Sequence, residues 1–370
     1  MRLGIKNDMA HDTVDDIKTR TKSEQKVDLL PPNPRHGVHM NAIASGPRTE
    51  SSVQKLSEQI RVISAFGIKG GCGKSTLALA LASAMKRLYP HARIGLLDMT
   101  TEQATLSTVF APKLEAAGQG WWAITKAFID EVERENNPNS VAEAIRRAVV
   151  PLQVLPDAMD GQGTIDFIGC GKRQLKAIEG HSDLVGAEAV STCAGVLQEI
   201  RATLGWDWAV VDLPPSTKEV GSRMMLGNCS AVAVTAGLTH RDDLSGYAAM
   251  VQEIRRLEIE PAGFLLNRYI PKDVYSETAL EDARKIFEAV RIPELGLIRE
   301  RQTMKSSRKV HDWAKTGAAD AVGLYVAKNE AQMNEATRGG ITHTIHEVES
   351  AARAVVQAIV VSESRTAVEA

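Results

Sequence analysis

The run RVISAFGIKGGCGKSTLALALASAMKRL, residues 61–88, sets the tightest limit on how this chain can fold. It opens with a continuous apolar stretch of the length and composition of a buried strand. A glycine-rich turn follows, and then an alanine- and leucine-rich segment with the period of a helix. A strand that enters a helix through glycines leaves backbone N–H groups unpaired at the helix N-terminus, where the helix dipole adds positive potential. Such a junction binds anions, and phosphate in particular.

The rest of the chain keeps the same rhythm. The apolar runs RIGLLD, LQVLP, WAVVD, SAVAVTA, AGFLLN and LGLI alternate with helical segments including AEAVSTCAGVLQEIRATL, LSGYAAMVQEIRRL and SETALEDARKIFEAV. This alternation predicts an α/β fold, a doubly wound and mostly parallel sheet with helices on both faces. Residues 1–58 carry mixed charge, LLPPNPRHG and ASGPRTESS, with little apolar periodicity; a mostly disordered leader is expected there, closed by a helical stretch near VQKLSEQI. The nucleotide-binding domain is expected over 59–320, with a helical insertion near 112–150 that reads as two helices around an Asn-Pro turn. Trp121 and Trp122 in that insertion are expected as core anchors. Residues 321–370 read as a C-terminal helical extension. Ile341, Ile345, Val348, Ala352, Val355 and Ile359 form one apolar stripe, and Thr344 with Glu347 resembles a capping box. Arg353 stands nearly alone among glutamates beside that stripe, so packing on the sheet or on a partner is expected rather than a membrane surface.

Composition narrows the function. The chain has 370 residues, 44% hydrophobic and 24% charged, with a formal net charge of −2. It is no general magnet for nucleic acid, and any DNA-binding surface must be a local patch. The four cysteines show no CxxC pair, the N-terminus lacks an apolar signal core, and no apolar run approaches a bilayer span. A soluble protein of the reducing cytoplasm is expected.

In a phosphate loop of this kind Lys74 reaches the β- and γ-phosphates, Ser75 ligates Mg²⁺ and Thr76 bonds the α-phosphate. The common pattern GxxxxGK[ST] would require glycine at Ile68 and fails. The pattern KGGxGK[ST][ST] fits from Lys69 through Gly70, Gly71, Cys72, Gly73, Lys74 and Ser75 to Thr76. In this it resembles the deviant Walker A loop of the ParA/MinD family of dimerising ATPases. The resemblance implies ATP and Mg²⁺ as cofactors, and a role for Lys69 in reaching the partner subunit's nucleotide across a homodimer interface. Face-to-face nucleotides concentrate negative charge, so a cation from each subunit would make the dimer conditional on ATP.

Further motifs extend the resemblance from about Arg61 to about Lys315. In WDWAVVDLPPST an apolar strand ends in Asp212 and Pro214-Pro215-Ser216, similar to the family's Walker B segment, where the carboxylate holds Mg²⁺ water. After RIGLLD the family usually carries DxDPQ. Here Asp98 matches the first aspartate and Thr100 stands at the second. A hydroxyl cannot take a proton as a carboxylate does, so slow or partner-dependent hydrolysis is expected, with Glu102 as an alternative group to position water. Asn267, closing AGFLLN, matches the adenine-contacting asparagine, and the absence of an NKxD signature favours ATP over GTP. Residues 299–315 hold Arg299, Arg301, Lys305, Arg308, Lys309 and Lys315 against Glu300 and Asp312. The family uses basic residues in this neighbourhood to hold DNA without sequence preference, and Arg299, Arg301, Lys305 and Arg308 are the expected contacts.

The resemblance therefore implies a ParA-type switch for plasmid or chromosome partition, nucleoid-associated, with a centromere-binding or other activating protein as partner. Its main rival is a related ATPase that positions a protein complex or supports conjugative transfer without bulk DNA binding. Iron-protein relatives need a cluster cysteine just after Walker B, which DLPPSTKEV lacks, and synthetase relatives need a substrate domain not visible here.

Overall fold

The computed structural model describes residues 59–102, 104–134, 140–155, 162–238, 244, 246–300 and 335–369. The expected leader over 1–58 lies outside the described residues. Among the described residues, eight strands form one sheet: β1 (Arg61–Phe66), β2 (Ile94–Asp98), β3 (Val149–Gln153), β4 (Thr164–Ile168), β5 (Trp208–Asp212), β6 (Ala231–Gly237), β7 (Gly263–Tyr269) and β8 (Glu294–Arg299). Their order is β3-β4-β2-β5-β1-β6-β7-β8. Every neighbouring pair is parallel except β3 with β4.

Side chains on each strand alternate between two cores, as the pleat requires. Val62, Phe66, Leu97, Val211 and Val234 enter one, while Ile63, Ala65, Leu96, Val210 and Ala233 enter the other. The first core is closed by α4 (Trp121–Arg134), α5 (Ser140–Ala148), α6 (Lys172–Ile178), α7 (Gly186–Leu204), α8 (Val220–Leu226), α9 (Tyr247–Arg256) and α10 (Val274–Ala289). The second is closed by α1 (Lys74–Leu88), α2 (Thr105–Phe110) and α11 (Glu335–Glu369), and a short α3 (Pro112–Ala117) follows α2. Helices thus cover both faces, as the strand and helix alternation predicts.

Residues 112–150 contain α3, α4 and α5, one helix more than the two expected, and the Asn-Pro dipeptide lies outside the described residues. Trp121 and Trp122 are fully buried in the first core. Two features of this region escape the sequence reading. The strand expected around LQVLP begins earlier, at Val149, and runs antiparallel to its neighbour. That neighbour, β4, reads TIDFI, and the carboxylate at its centre hides the strand. Asp166 accepts the Trp206 indole N–H at 2.8 Å, which is how a charge is tolerated there.

The C-terminal stripe is buried as a continuous face, and it packs on β8, α1 and β6. Each large apolar side chain so buried contributes about 1.5–3 kcal/mol. The expected capping box does not form. Helix α11 already runs from Glu335, so Thr344 is internal and its hydroxyl donates to the Gly340 carbonyl at 3.1 Å. Glu347 instead accepts from the Arg299 backbone N–H at 3.1 Å. Ion pairs tie the same helix to Arg299 through Glu347, to Arg87 through Glu349 and to Arg61 through Glu363.

Strand β1 has β5 and then β2 on one side and β6 on the other, so chain direction across the sheet reverses at β1. In an open parallel sheet the usual binding position is outside the carboxyl ends of the strands at such a reversal, which here is where residues 67–73 lie.

Candidate functional site

Residues 67–73 leave β1 and enter α1 at Lys74. Gly71 and Gly73 have φ of 80° and 86°, the left-handed region that favours glycine. A Cβ on Gly73 would also stand 2.5 Å from Asn267 Nδ2. The first turn of α1 contains no acidic residue, and the Gly73 cap supplies no side-chain hydrogen bond to it. Its N–H groups and dipole are therefore available to an anion. Lys74 is buried, and its ammonium donates to the Lys69 carbonyl at 3.0 Å. Lys69 and Ser75 are half-buried, while Gly70 and Thr76 are exposed. Cys72 is buried, and burial pushes its thiol up.

Asp98 and Asp212 end adjacent strands in register, yet their surroundings differ. Asp98 accepts from the Thr100 N–H at 3.0 Å and from the Thr100 hydroxyl, and from the N–H and hydroxyl of Ser107, both at 2.8 Å. Ser107 Oγ in turn accepts from the Cys170 N–H at 2.7 Å. Asp98 therefore fastens the loop after β2 to the start of α2 and the end of β4. By contrast, both oxygens of Asp212 are buried with no hydrogen-bond partner among the described residues. Burial, and then the charge of Asp98, push its carboxyl up to about 7, against the opposing pull of the Ser75 hydroxyl and the Lys74 ammonium.

A buried carboxylate without partners is costly unless a cation takes it up. The oxygen donors here are hard, a carboxylate at a strand end and a hydroxyl at a helix start, and they suit Mg²⁺ that keeps part of its water. The glycine cradle suits a polyphosphate. The residues present thus fit both expected groups.

Asn267 is brought to the loop, but its amide is already engaged. Nδ2 donates to the Cys72 carbonyl at 3.1 Å, and Oδ1 accepts from the Arg268 N–H at 2.9 Å. Two neighbours of the site were not singled out in the sequence. Arg268 donates to the Gly71 carbonyl at 3.0 Å. Glu219, ahead of α8, accepts from the Thr101 hydroxyl at 3.0 Å. Burial pushes Glu219 up, and exposed Glu102 adds to the rise. Position after the Pro-Pro turn was the available signal for Glu219; Arg268 had only its place beside Asn267.

Of the expected DNA contacts, Arg299 lies at the end of β8 with its guanidinium 3.5 Å from Glu347. Arg301, Lys305 and Arg308 lie outside the described residues.

A glycine loop between the first strand and first helix, facing a buried strand-end carboxylate across the switch of a parallel sheet, defines a P-loop nucleotide-binding domain. The family model of the CobQ/CobB/MinD/ParA nucleotide binding domain matches residues 63–312, and the chain belongs to this family. No curated protein matches the chain. Among solved structures, that of a point variant of McdA from Cyanothece in complex with ATP is 14% identical, with a TM-score of 0.53 over 81% of this chain and 96% of that one. Cobyrinic acid a,c-diamide synthase from Mycobacterium smegmatis with ADP and magnesium is 17% identical, with a TM-score of 0.50 over 69% and 93%. A candidate plasmid partition protein of Borrelia burgdorferi B31 bound to AMPPNP is 20% identical, with a TM-score of 0.49 over 81% and 99%. At such identities the likeness is one of fold. No helix among the described residues is long and apolar enough to cross a membrane.

Proposed function

We propose that this chain is an ATP-dependent dimerising switch of the ParA type, acting in plasmid or chromosome partition. The observation that carries the reading is the buried carboxylate of Asp212, its oxygens without a hydrogen-bond partner among the described residues, within the electrostatic reach of Lys74 and Ser75 at the end of the glycine loop. In this reading Gly70, Gly71, Cys72 and Gly73 give their N–H groups to the phosphates, and Thr76 assists at the α-phosphate. Ser75 and Asp212 hold Mg²⁺, which when bound neutralises charge on the β- and γ-phosphates. Lys74 holds the outer phosphates, and Lys69 serves the nucleotide of a second copy. Asp98 acts by fixing the loop around Thr100. No carboxylate stands at position 100, so hydrolysis is slow and depends on an activating protein.

The DNA-binding part of the proposal rests on charge in residues 299–315. A dimer doubles that patch, and phosphate contacts act together through counterion release. Arg299 is already opposed by Glu347, an observation that favours the second reading, a positioning ATPase without bulk DNA binding. A gel-shift titration of wild type and Arg301→Glu decides between them, with and without ATP at two salt concentrations. Partition requires sequence-indifferent, ATP-dependent binding by the wild type, lost in Arg301→Glu, with about 0.9 of log–log salt slope per phosphate contact. No ATP-dependent binding even at low salt would leave the positioning switch as the better account.

A further inference from the structure

Three carbonyls of the phosphate loop are held by side chains. Lys74 takes that of Lys69, Arg268 that of Gly71 and Asn267 that of Cys72. In a trans peptide unit the C=O and the following N–H point in opposite directions. Holding the Gly71 oxygen therefore fixes the Cys72 N–H, and holding the Cys72 oxygen fixes the Gly73 N–H. The N–H of Gly70 is set by the bond from Lys74 in the same way. Lys74 would move to phosphate when nucleotide arrives, whereas Asn267 and Arg268 come from β7, two strands from β1, and stay with the sheet.

Arg268 has features that its place in a strand does not explain. Its φ is 64°, disfavoured for a residue with a Cβ. The β7–β8 register is irregular between Leu266 and Tyr269, and this bulge re-aims the side chain. The guanidinium fork that results has two fixed ends. Nη1 meets the Gly71 carbonyl at 3.0 Å, and Nη2 meets Glu300 Oε1 at 3.3 Å. Glu300 is itself pinned, with its backbone N–H donating to the Tyr269 carbonyl at 2.7 Å. Such strain persists only where surrounding structure enforces it.

We propose that Arg268 is a positioning residue for the phosphate loop, holding the Gly71–Cys72 peptide so that its N–H faces the outer phosphates of the nucleotide, with Glu300 as its anchor. The proposal rests on the nucleotide-binding reading and deepens it. Arginine is needed because a lysine ammonium offers no planar fork to reach both partners. Glu300 is the second residue of the basic segment 299–315, so the phosphate loop and that segment share one guanidinium.

The test uses the full chain and competition of ATP, ADP and AMP against a fluorescent ATP analogue. Arg268→Ala is expected to weaken ATP and ADP roughly tenfold, as for loss of a hydrogen bond from a charged donor. AMP, which lacks the phosphates that the loop encircles, should change by less than about twofold. Arg268→Lys should fail to restore ATP affinity. Glu300→Gln should weaken ATP by roughly two- to fivefold, the scale of a part-exposed ion pair. The double variant Arg268→Ala, Glu300→Gln should be no weaker than Arg268→Ala alone. Unchanged ATP affinity in Arg268→Ala, equal loss of ATP and AMP, or additive losses in the double variant would each overturn the proposal. A wild type that binds no ATP would instead overturn the nucleotide reading on which it rests.

Discussion

Replacing Asp212 with asparagine should stabilise the metal-free, nucleotide-free protein, by an amount that grows with pH. The folded carboxyl is raised from 3.8 to about 7, with burial the main cause and Asp98 the second. Because the folded state keeps this proton when the unfolded state has lost it, the group's contribution is largest below the unfolded value. It declines as pH rises towards the folded value and is level above it. Each pH unit in that window is worth about 1.4 kcal/mol, so the full decline is about 4 kcal/mol. Asparagine has the same shape and does not titrate. Whatever fixed cost its amide carries, the stability of the variant minus that of wild type should grow by about 3 kcal/mol between pH 5 and pH 8. For a domain of this size that corresponds to a widening of the melting difference on the order of 5 °C. The assay is thermal melting of both proteins at the two pH values in excess chelator. Parallel pH profiles would refute the reasoning, since they would mean that Asp212 is not held near 7 by burial. With saturating Mg²⁺ and ATP the advantage should reverse, because ligand that binds only the folded state stabilises wild type more.

Lys74→Ala should abolish ATP binding, whereas Lys69→Ala should retain much of it and lose nucleotide-dependent dimerisation. Sedimentation with a nonhydrolysable analogue reads both, and a fully dimeric Lys69→Ala protein would remove the cross-subunit role. Ile345→Ala, in the buried stripe of α11, should cost about 2–5 kcal/mol; a denaturant midpoint unchanged from wild type would mean that α11 is not docked.

The central strands were legible because burial on both faces leaves them almost continuously apolar, as in the runs Val62 to Phe66 and Ala209 to Val211. The loop residues were legible because the glycines and Lys74 satisfy a local geometric need that nothing distant can replace. What stayed hidden depends on partners remote in sequence. Asp166 is acceptable in β4 only because Trp206 donates to it. Thr344 and Glu347 have the spacing of a cap, but Arg299 claims the glutamate. The tether from Asn267 and Arg268 to residues 71 and 72 crosses nearly two hundred positions, and no short window of sequence contains both ends.

Helix α11 has a consequence for how the domain comes into being during synthesis. Its Glu363 pairs with Arg61 at 3.0 Å, across 302 positions of chain, so β1 and α11 are fastened directly to each other. Until α11 has emerged from the ribosome, the apolar faces of α1 and β8 that it covers are open to water and to other nascent chains. Contacts of such long separation slow folding, and exposed intermediates of this size invite aggregation. The second core can therefore close only after translation of the helix is complete, and a ribosome stalled before residue 335 would hold a domain whose phosphate-loop helix has no outer support.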